Sequence, residues 1–353
     1  MPIPAVINAI GRAVPQNDIH TAFAKWGEEL LATELERRLF RRMVKRSGID
    51  HRWSVLPSTH GGSPVDPGGF YAHGLPPTSV RMVRYAEYAP KLALEAIANL
   101  DPSAVGGVTH LVVASCTGFI APGVDQIIAE QLGLTTVERT LIGFMGCYAA
   151  VAALRTARHI VRSEPDARVL VVTVEISSLH LQEEQQIERL LMMLQFGDGA
   201  AAALVSGSGS GFAIDRPFSL TLEDSTELLG WEIGDRGFIM HLSGEVPGRI
   251  QAALEDPAVR QAVIGTGDAG EVDSWAVHAG GRSILDAVAH GLDLEEGALD
   301  ASRSVLARFG NMSSSTLMFI LADLLADPAR QSGVGMAFGP GLAAEGFDFV
   351  RVS

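Results

Sequence analysis

The stretch Leu141-Ile142-Gly143-Phe144-Met145-Gly146-Cys147-Tyr148-Ala149-Ala150 passes from an apolar run, through glycine and cysteine, into an alanine-rich helical pattern. It reads as a strand–turn–helix elbow with a cysteine at its bend. Gly146 supplies the backbone freedom of a sharp turn and leaves room beside the sulfur. The arrangement recurs later in the chain. A strand around Val113 precedes the helix opened by Gly146-Cys147, and a strand around Val277 precedes the helix opened by Gly310-Asn311. Both separations are 34 residues (113 to 147, 277 to 311), and the next strands, at Val171 and Gly335, each follow 24 residues later. The matched spacing predicts an internally duplicated α/β fold about a pseudo-twofold axis. Both helix N-termini then meet near the centre, with Cys147 close to Asn311. Ser206-Gly207-Ser208-Gly209-Ser210-Gly211 cannot pack a core and marks the boundary as a turn or short linker. The halves are 1–211, holding Cys147, and 212–353, holding His278 and Asn311.

Short β-branched runs alternating with longer helical patterns mark the α/β class. Strands are predicted at 110–115, 168–174, 274–278 and 333–338, apolar on both faces and therefore inside a covered sheet. Helices are predicted at 21–46, 148–161 and 313–325. The 353 residues are 47% hydrophobic and 19% charged, which supplies a large core and excludes disorder as the dominant state. With 27 basic against 41 acidic residues the net charge is −14, unsuited to sequence-independent nucleic-acid binding. An anionic ligand then requires a local cationic patch. Arg38, Arg42 and Arg46 are spaced i, i+4, i+8 and share one face of the first long helix, with Glu34 and Glu36 near enough to neutralise part of it. The two cysteines, Cys116 and Cys147, exclude a disulfide framework beyond one bridge and a cysteine-rich metal site. Free thiols suit a reducing cytosol. Met1-Pro2-Ile3-Pro4-Ala5 has no basic leader before an apolar run, and no apolar run approaches the ~20 residues needed to span a bilayer. A cytoplasmic protein with no membrane segment is expected.

Three residues carry a chemical logic together. Cys147 at a helix N-terminus has its thiol pKa lowered and is a nucleophile candidate, against the common fate of an inert buried cysteine. His278 ends a buried strand before Ala279-Gly280-Gly281, where it is placed to act, or serves as a hydrogen-bonded core histidine. Asn311, before Met312-Ser313-Ser314, is either a helix N-cap or a partner of the other two. A thiolate accepts an acyl group. The imidazole and the carboxamide present donors to a thioester oxygen, which becomes an enolate when a malonyl unit loses carbon dioxide. No metal or redox cofactor is needed.

In this light the sequence resembles the type III polyketide synthases, the chalcone-synthase-like superfamily. The segments are Gly146-Cys147, Leu194-Gln195-Phe196-Gly197-Asp198-Gly199-Ala200, Val277-His278-Ala279-Gly280-Gly281, Phe309-Gly310-Asn311-Met312-Ser313-Ser314 and Phe338-Gly339-Pro340-Gly341. They occur in order, and the similarity runs from about Ile3 to the C-terminus. The resemblance implies a thiolase-like fold with a duplicated αβαβα five-layer core. It also implies a homodimer and iterative decarboxylative condensation on coenzyme A thioesters, bacterial in type, with a small polyhydroxylated aromatic or pyrone as product. Cys147 is implied as the acyl-carrying nucleophile, His278 and Asn311 as the decarboxylation and oxyanion pair, and Phe196 as a gatekeeper. Cavity-lining positions match Cys116, Thr117, Ala121, Ser177, His180, Trp231, Met240 and Ser313, and the Gly339-Pro340-Gly341 loop belongs to the substrate site. Trp231, where plant members have glycine, shortens one arm of the cavity. His180, where they have threonine, is expected to orient or deprotonate an intermediate. Coenzyme A contacts match Arg42 and Arg46. A third basic contact falls on Leu39, and Arg282 replaces a proline and adds a phosphate contact. A single-round β-ketoacyl synthase III-type enzyme using acyl carrier protein shares the Cys-His-Asn set. A non-catalytic thiolase-fold subunit is the remaining alternative.

Overall fold

The computed structural model describes residues 3–57, 63–100 and 105–353; Met1 and Pro2 of the leader reading lie outside them. One half contributes β1 (Ala5–Ala13), β2 (His110–Ser115), β3 (Glu138–Gly143), β4 (Arg168–Ile176) and β5 (Asp198–Ser206). After β6 (Gly211–Thr221), β7 (Leu229–Gly234) and β8 (Gly237–Leu242) form a separate two-stranded ribbon, and β9 (Trp275–Val277), β10 (Ser332–Gly339) and β11 (Ala343–Val352) complete the other half. The sheet order is β9-β10-β11-β6-β1-β5-β4-β2-β3. Strand for strand, β2-β4-β5-β1 matches β9-β10-β11-β6: the first pair in each set is parallel, the next two antiparallel. The halves join at β1, where Val6 faces Ser206 of β5 and Ala213 of β6. The Ser206–Gly211 run is the turn that carries the chain over the end of β1. The Asn8 side chain holds it, donating to Ser208 O (2.9 Å) and Ser210 O (3.1 Å).

The helices are α1 (His20–Glu29), α2 (Glu34–Arg46), α3 (Thr78–Ala98), α4 (Val124–Gln131), α5 (Ala149–Ser163), α6 (Ile187–Met193), α7 (Val246–Glu255), α8 (Pro257–Ile264), α9 (Arg282–Gly291), α10 (Asp300–Phe309) and α11 (Ser314–Ala326). Alternation along each strand decides which layer it meets. Val112 and Ala114 of β2, Val169 and Val171 of β4, and Ala337 of β10 face the central pair α5 and α11. Leu111, Val113, Leu170 and Val172 face α3 and α4, while Val277, Val334 and Met336 face α7, α9 and α10. The result is five layers, αβαβα, and the predicted apolarity on both strand faces follows from it. Helix α11 is buried around its whole circumference, so its apolar residues form no stripe.

One helix predicted at 21–46 is two. Thr33 breaks it: its hydroxyl accepts from Glu36 N (3.2 Å) while the Glu36 carboxylate accepts from Thr33 N (2.8 Å). This reciprocal cap satisfies donors that a new helix start leaves orphaned. Among the described residues, no helix is long and apolar enough to cross a membrane, and no group of three or more His, Cys, Asp or Glu is placed to hold a metal. Thr33→Ala is expected to cost about 1 kcal/mol in a urea melt. Unchanged stability would show that α2 is held by the packing of Phe40 alone.

Candidate active site

Two elbows meet between the halves. After β3 the chain turns through Phe144 and Gly146, at φ 59° and 70°, and enters α5 beyond Cys147. A Cβ on Gly146 would overlap the Pro340 ring, and one on Gly339 would overlap Tyr148. The Gly339-Pro340-Gly341 loop, expected in the substrate site, packs against the Cys147 elbow and is not among the residues that line the apolar cavity around His180 and Trp231.

In the other half α10 ends at Gly310, φ 68°, and Asn311 to Ser313 lead into α11. Asn311 is not the helix cap. Its Oδ1 accepts from Ser313 N (2.8 Å) and its Nδ2 donates to Gly280 O (3.1 Å). Its backbone N–H donates to Gln195 O (2.8 Å), and its carbonyl accepts from Gly197 N (3.0 Å), so Phe196 lies directly opposite it. Arg52, itself buried, donates to Phe196 O (2.8 Å) and fixes this strap. The predicted approach of Cys147 and Asn311 is present. Ser313 Oγ donates to Cys147 Sγ (3.7 Å), and the Asn311 carboxamide reaches the same sulfur.

His278 follows β9 and is anchored by its N–H to Met336 O (2.8 Å). Its ring is buried, yet neither Nδ1 nor Nε2 has a hydrogen-bond partner. It lies beside Gly280, whose carbonyl holds Asn311. Two unsatisfied buried nitrogens are costly in a finished core and mark a place where a ligand completes the bonding. Burial pushes the His278 pKa down to about 3. Burial also pushes the Cys147 thiol up to about 12, opposed by hydrogen bonds from Ser313 and Asn311 and reinforced by the Glu175 carboxylate. The lowering expected from the helix terminus is outweighed, because removing a thiolate from water costs more than a partial dipole charge returns.

Behind the cysteine sits a group that sequence reasoning missed. Glu175 is buried at the end of β4 and accepts from Cys116 N (3.0 Å), Thr117 Oγ1 (2.9 Å) and the Ser314 hydroxyl. Burial raises its pKa to about 6. Its signal was a lone carboxylate in the apolar run 168–176. Cys116 Sγ bridges this carboxylate (3.4 Å) and Ser313 Oγ (3.1 Å), so Cys116, Thr117 and Ser313 form a polar wall beside Cys147.

Ser177, His180, Phe196, Trp231 and Met240 line one mostly apolar cavity with Phe23, Met193 and Phe238. Trp231 is pinned across it by a bond from Nε1 to Cys116 O (2.8 Å). His180 cannot serve as the expected base. Its Nδ1 accepts from Phe238 N (2.9 Å), so Nε2 carries the proton donated to Thr117 O (2.7 Å), and burial pushes its pKa down to about 3. Ala121 is exposed in the single chain and is not among the residues that line this cavity. Arg42 and Arg46 are exposed on α2. Arg46 lines a cleft with Met43, Arg282, Gly281 and Gln195, and Arg282 donates to Arg46 O (3.4 Å). The cleft therefore runs from the basic helix to the residue that holds Asn311.

A duplicated five-layer core bent around a cysteine elbow is the thiolase-like fold, and here it defines an acyl-transferring enzyme. Residues 3–210 match the model of the chalcone and stilbene synthase N-terminal domain, and 220–352 match that of the C-terminal domain. The chain belongs to this family, the type III polyketide synthases, whose substrates are coenzyme A thioesters. It is 31% identical over 369 residues to the alpha-pyrone synthesis polyketide synthase-like Pks18 of Mycobacterium tuberculosis, covering 98% of this chain and 92% of that one. The Mycobacterium bovis protein of the same name matches equally. Among solved structures, PKS-I of the brown alga Ectocarpus siliculosus superposes at TM-score 0.87 with 28% identity, over 100% of this chain and 99% of that one. The C-terminal type III polyketide synthase domain of Steely1 from Dictyostelium matches in fold, at TM-score 0.86 and 23% identity, over 99% of this chain and all of that one.

Gly146→Ala is expected to lose more than tenfold in turnover. The side chain meets Pro340, and its positive φ costs roughly 1–2 kcal/mol. Adding Pro340→Ala removes the overlap and restores part of the loss. Full activity in Gly146→Ala alone would show that the elbow is not so constrained.

Proposed function

We propose that Cys147 takes a starter acyl group from a coenzyme A thioester and that repeated decarboxylative condensation with malonyl-CoA extends it to a small polyhydroxylated aromatic or pyrone. The unpartnered His278 ring beside Asn311 carries this reading. Cys147 Sγ attacks the thioester carbonyl, and the coenzyme A thiol leaves with the proton. Malonyl-CoA then loses carbon dioxide. The electrons of the broken carbon–carbon bond move onto the thioester oxygen, where the His278 N–H and Asn311 Nδ2 donate to it. The enolate carbon attacks the acyl-cysteine carbonyl and returns the sulfur. The dry site strengthens each of these bonds, and no step calls for a cofactor.

The pinned Trp231 shortens the apolar cavity, which favours a compact product. The relative named for alpha-pyrone synthesis supports the pyrone form. Phe196, opposite Asn311, stands as gatekeeper; Arg46 and Arg282 hold the phosphates of coenzyme A at the cleft they line, with Arg42 one turn back on α2. The outer strand β3 is an open edge with Leu141 and the neighbouring Phe119 exposed. An apolar unpaired edge favours a second copy against it, a homodimer. Both thiols are free, which supports a reducing cytoplasm. The chain divides into the halves 1–211, with Cys147, and 212–353, with His278 and Asn311.

Incubation with malonyl-CoA and a panel of acyl-CoA starters should yield products of several condensations by mass, and none with Cys147→Ala. A single β-ketoacyl product formed only on carrier protein would overturn the reading. Taken alone, a thiol raised to about 12 and an imidazole lowered to about 3 both stay neutral at pH 7. Passing the thiol proton to His278 gives a thiolate and an imidazolium that stabilise one another. Iodoacetamide alkylation of Cys147 at pH 7 should therefore fall at least about tenfold in His278→Ala. The variant's rate should then climb with pH, since a raised pKa keeps the thiol protonated until alkaline conditions. Equal rates in both proteins would show that His278 does not activate the sulfur.

A further inference from the structure

Helix α2 presents two adjacent stripes to solvent. Leu35, Leu39 and Met43 are 77%, 46% and 40% exposed at i, i+4, i+8. Beside them run Arg38, Arg42 and Arg46, all exposed. The acids that could neutralise the arginines are engaged elsewhere: Glu34 pairs with Arg41 (2.7 Å), and Glu36 closes the Thr33 cap. Among the described residues, these three arginines have no carboxylate partner. The stripes end at the cleft, which Met43 and Arg46 line on the way to Gln195 and Gly281.

A coenzyme A nucleotide uses only the cleft end of this surface. Leu35 lies about 12 Å further along the helix, at 1.5 Å per residue, and a nucleotide gives an exposed leucine there nothing to bury against. A protein does. Its helix would have to be acidic to meet Arg38, Arg42 and Arg46, apolar to cover Leu35 and Leu39, and attached to a thioester that enters the cleft. We propose that α2 docks an acidic acyl carrier protein whose phosphopantetheine arm delivers the starter to Cys147; this rests on the polyketide synthase reading. The arm ends in the same thiol-bearing segment as coenzyme A, so it fits the same cleft. In the transfer, the Cys147 sulfur forms a bond to the acyl carbon, the bond from that carbon to the pantetheine sulfur breaks, and the freed thiol takes the cysteine's proton. A bilayer fits less well. The apolar stripe is three side chains long and one wide and lacks aromatic residues, and a plane of anionic lipid would also face the rest of a chain of net charge −14. A small partner feels only charges within about 10 Å at moderate salt.

The test takes a starter that the acyl-CoA panel shows to be accepted and loads it onto a bacterial acyl carrier protein. Acylation of Cys147 from each donor is followed by intact mass, in the wild-type chain and in Leu35→Glu, a change at an exposed position. The expected result is loading from both donors, with loading from carrier protein at least tenfold slower in Leu35→Glu and loading from acyl-CoA within twofold of wild type. Loading from acyl-CoA alone overturns the docking proposal and leaves the synthase reading standing. Equal carrier loading in both chains, or equal slowing of both donors in Leu35→Glu, also overturns it. So does Leu35-dependent binding to phosphatidylglycerol vesicles without carrier loading. If no acyl-CoA starter is accepted at all, the synthase reading falls first.

Discussion

The site depends on how closely the two halves of the chain approach each other. Asn311, at the head of α11, is held between the backbone of Gln195 and Gly197 on one side and Gly280 on the other. Cys147, at the head of α5, follows Gly146, which packs against the Pro340 ring from the opposite half. These contacts leave no room for side chains at Gly146 or Gly310. A Cβ at Gly310 would fall 2.8 Å from Gln195 O and 2.9 Å from Arg52 Cγ. The sequence runs Gly-Cys, Gln-Phe-Gly and Phe-Gly-Asn are thus sides of one junction, and each makes sense only with the others in place.

That junction buries His278, Asn311 and Glu175 and leaves Cys147 partly exposed, and this burial sets its electrostatics. Burial drives Cys147, His278 and Glu175 toward their neutral forms. The resting thiol and imidazole then carry no charge, Glu175 behind them stays largely ionised at pH 7 with a pKa of about 6, and the hydrogen-bond donors are oriented before charge develops on a substrate oxygen. His180 shows the opposite outcome for the same residue type. Both of its nitrogens are taken by backbone groups, so it clamps Thr117 to Phe238 where His278 is left open.

Much of the fold was legible in the pattern. Matched spacings announced the duplication because equivalent strands and helices need equivalent lengths of chain. Strand cores were readable from apolarity on both faces. The helix expected at 21–46 splits in two, since a continuous helical pattern hides a cap whose effect depends on Thr33 and Glu36 together. The proposed trio of Cys147, His278 and Asn311 stood out through motif and resemblance. Glu175 and Arg52 escaped notice because a buried charge inside an apolar run has no role until its partners, from distant segments, surround it.

By itself the sequence determined the fold class and the family and singled out the groups proposed to react, because periodicity and local chemistry are properties of neighbouring residues. Only the tertiary structure decided which residues do which work. It packs Gly339-Pro340 against the Cys147 elbow, occupies both His180 nitrogens with backbone groups, leaves Ala121 exposed, and leaves Arg38, Arg42 and Arg46 without carboxylate partners among the described residues. Those assignments depend on which atoms lie within about 3–4 Å across hundreds of residues of chain, a distance scale set by hydrogen bonds and packing.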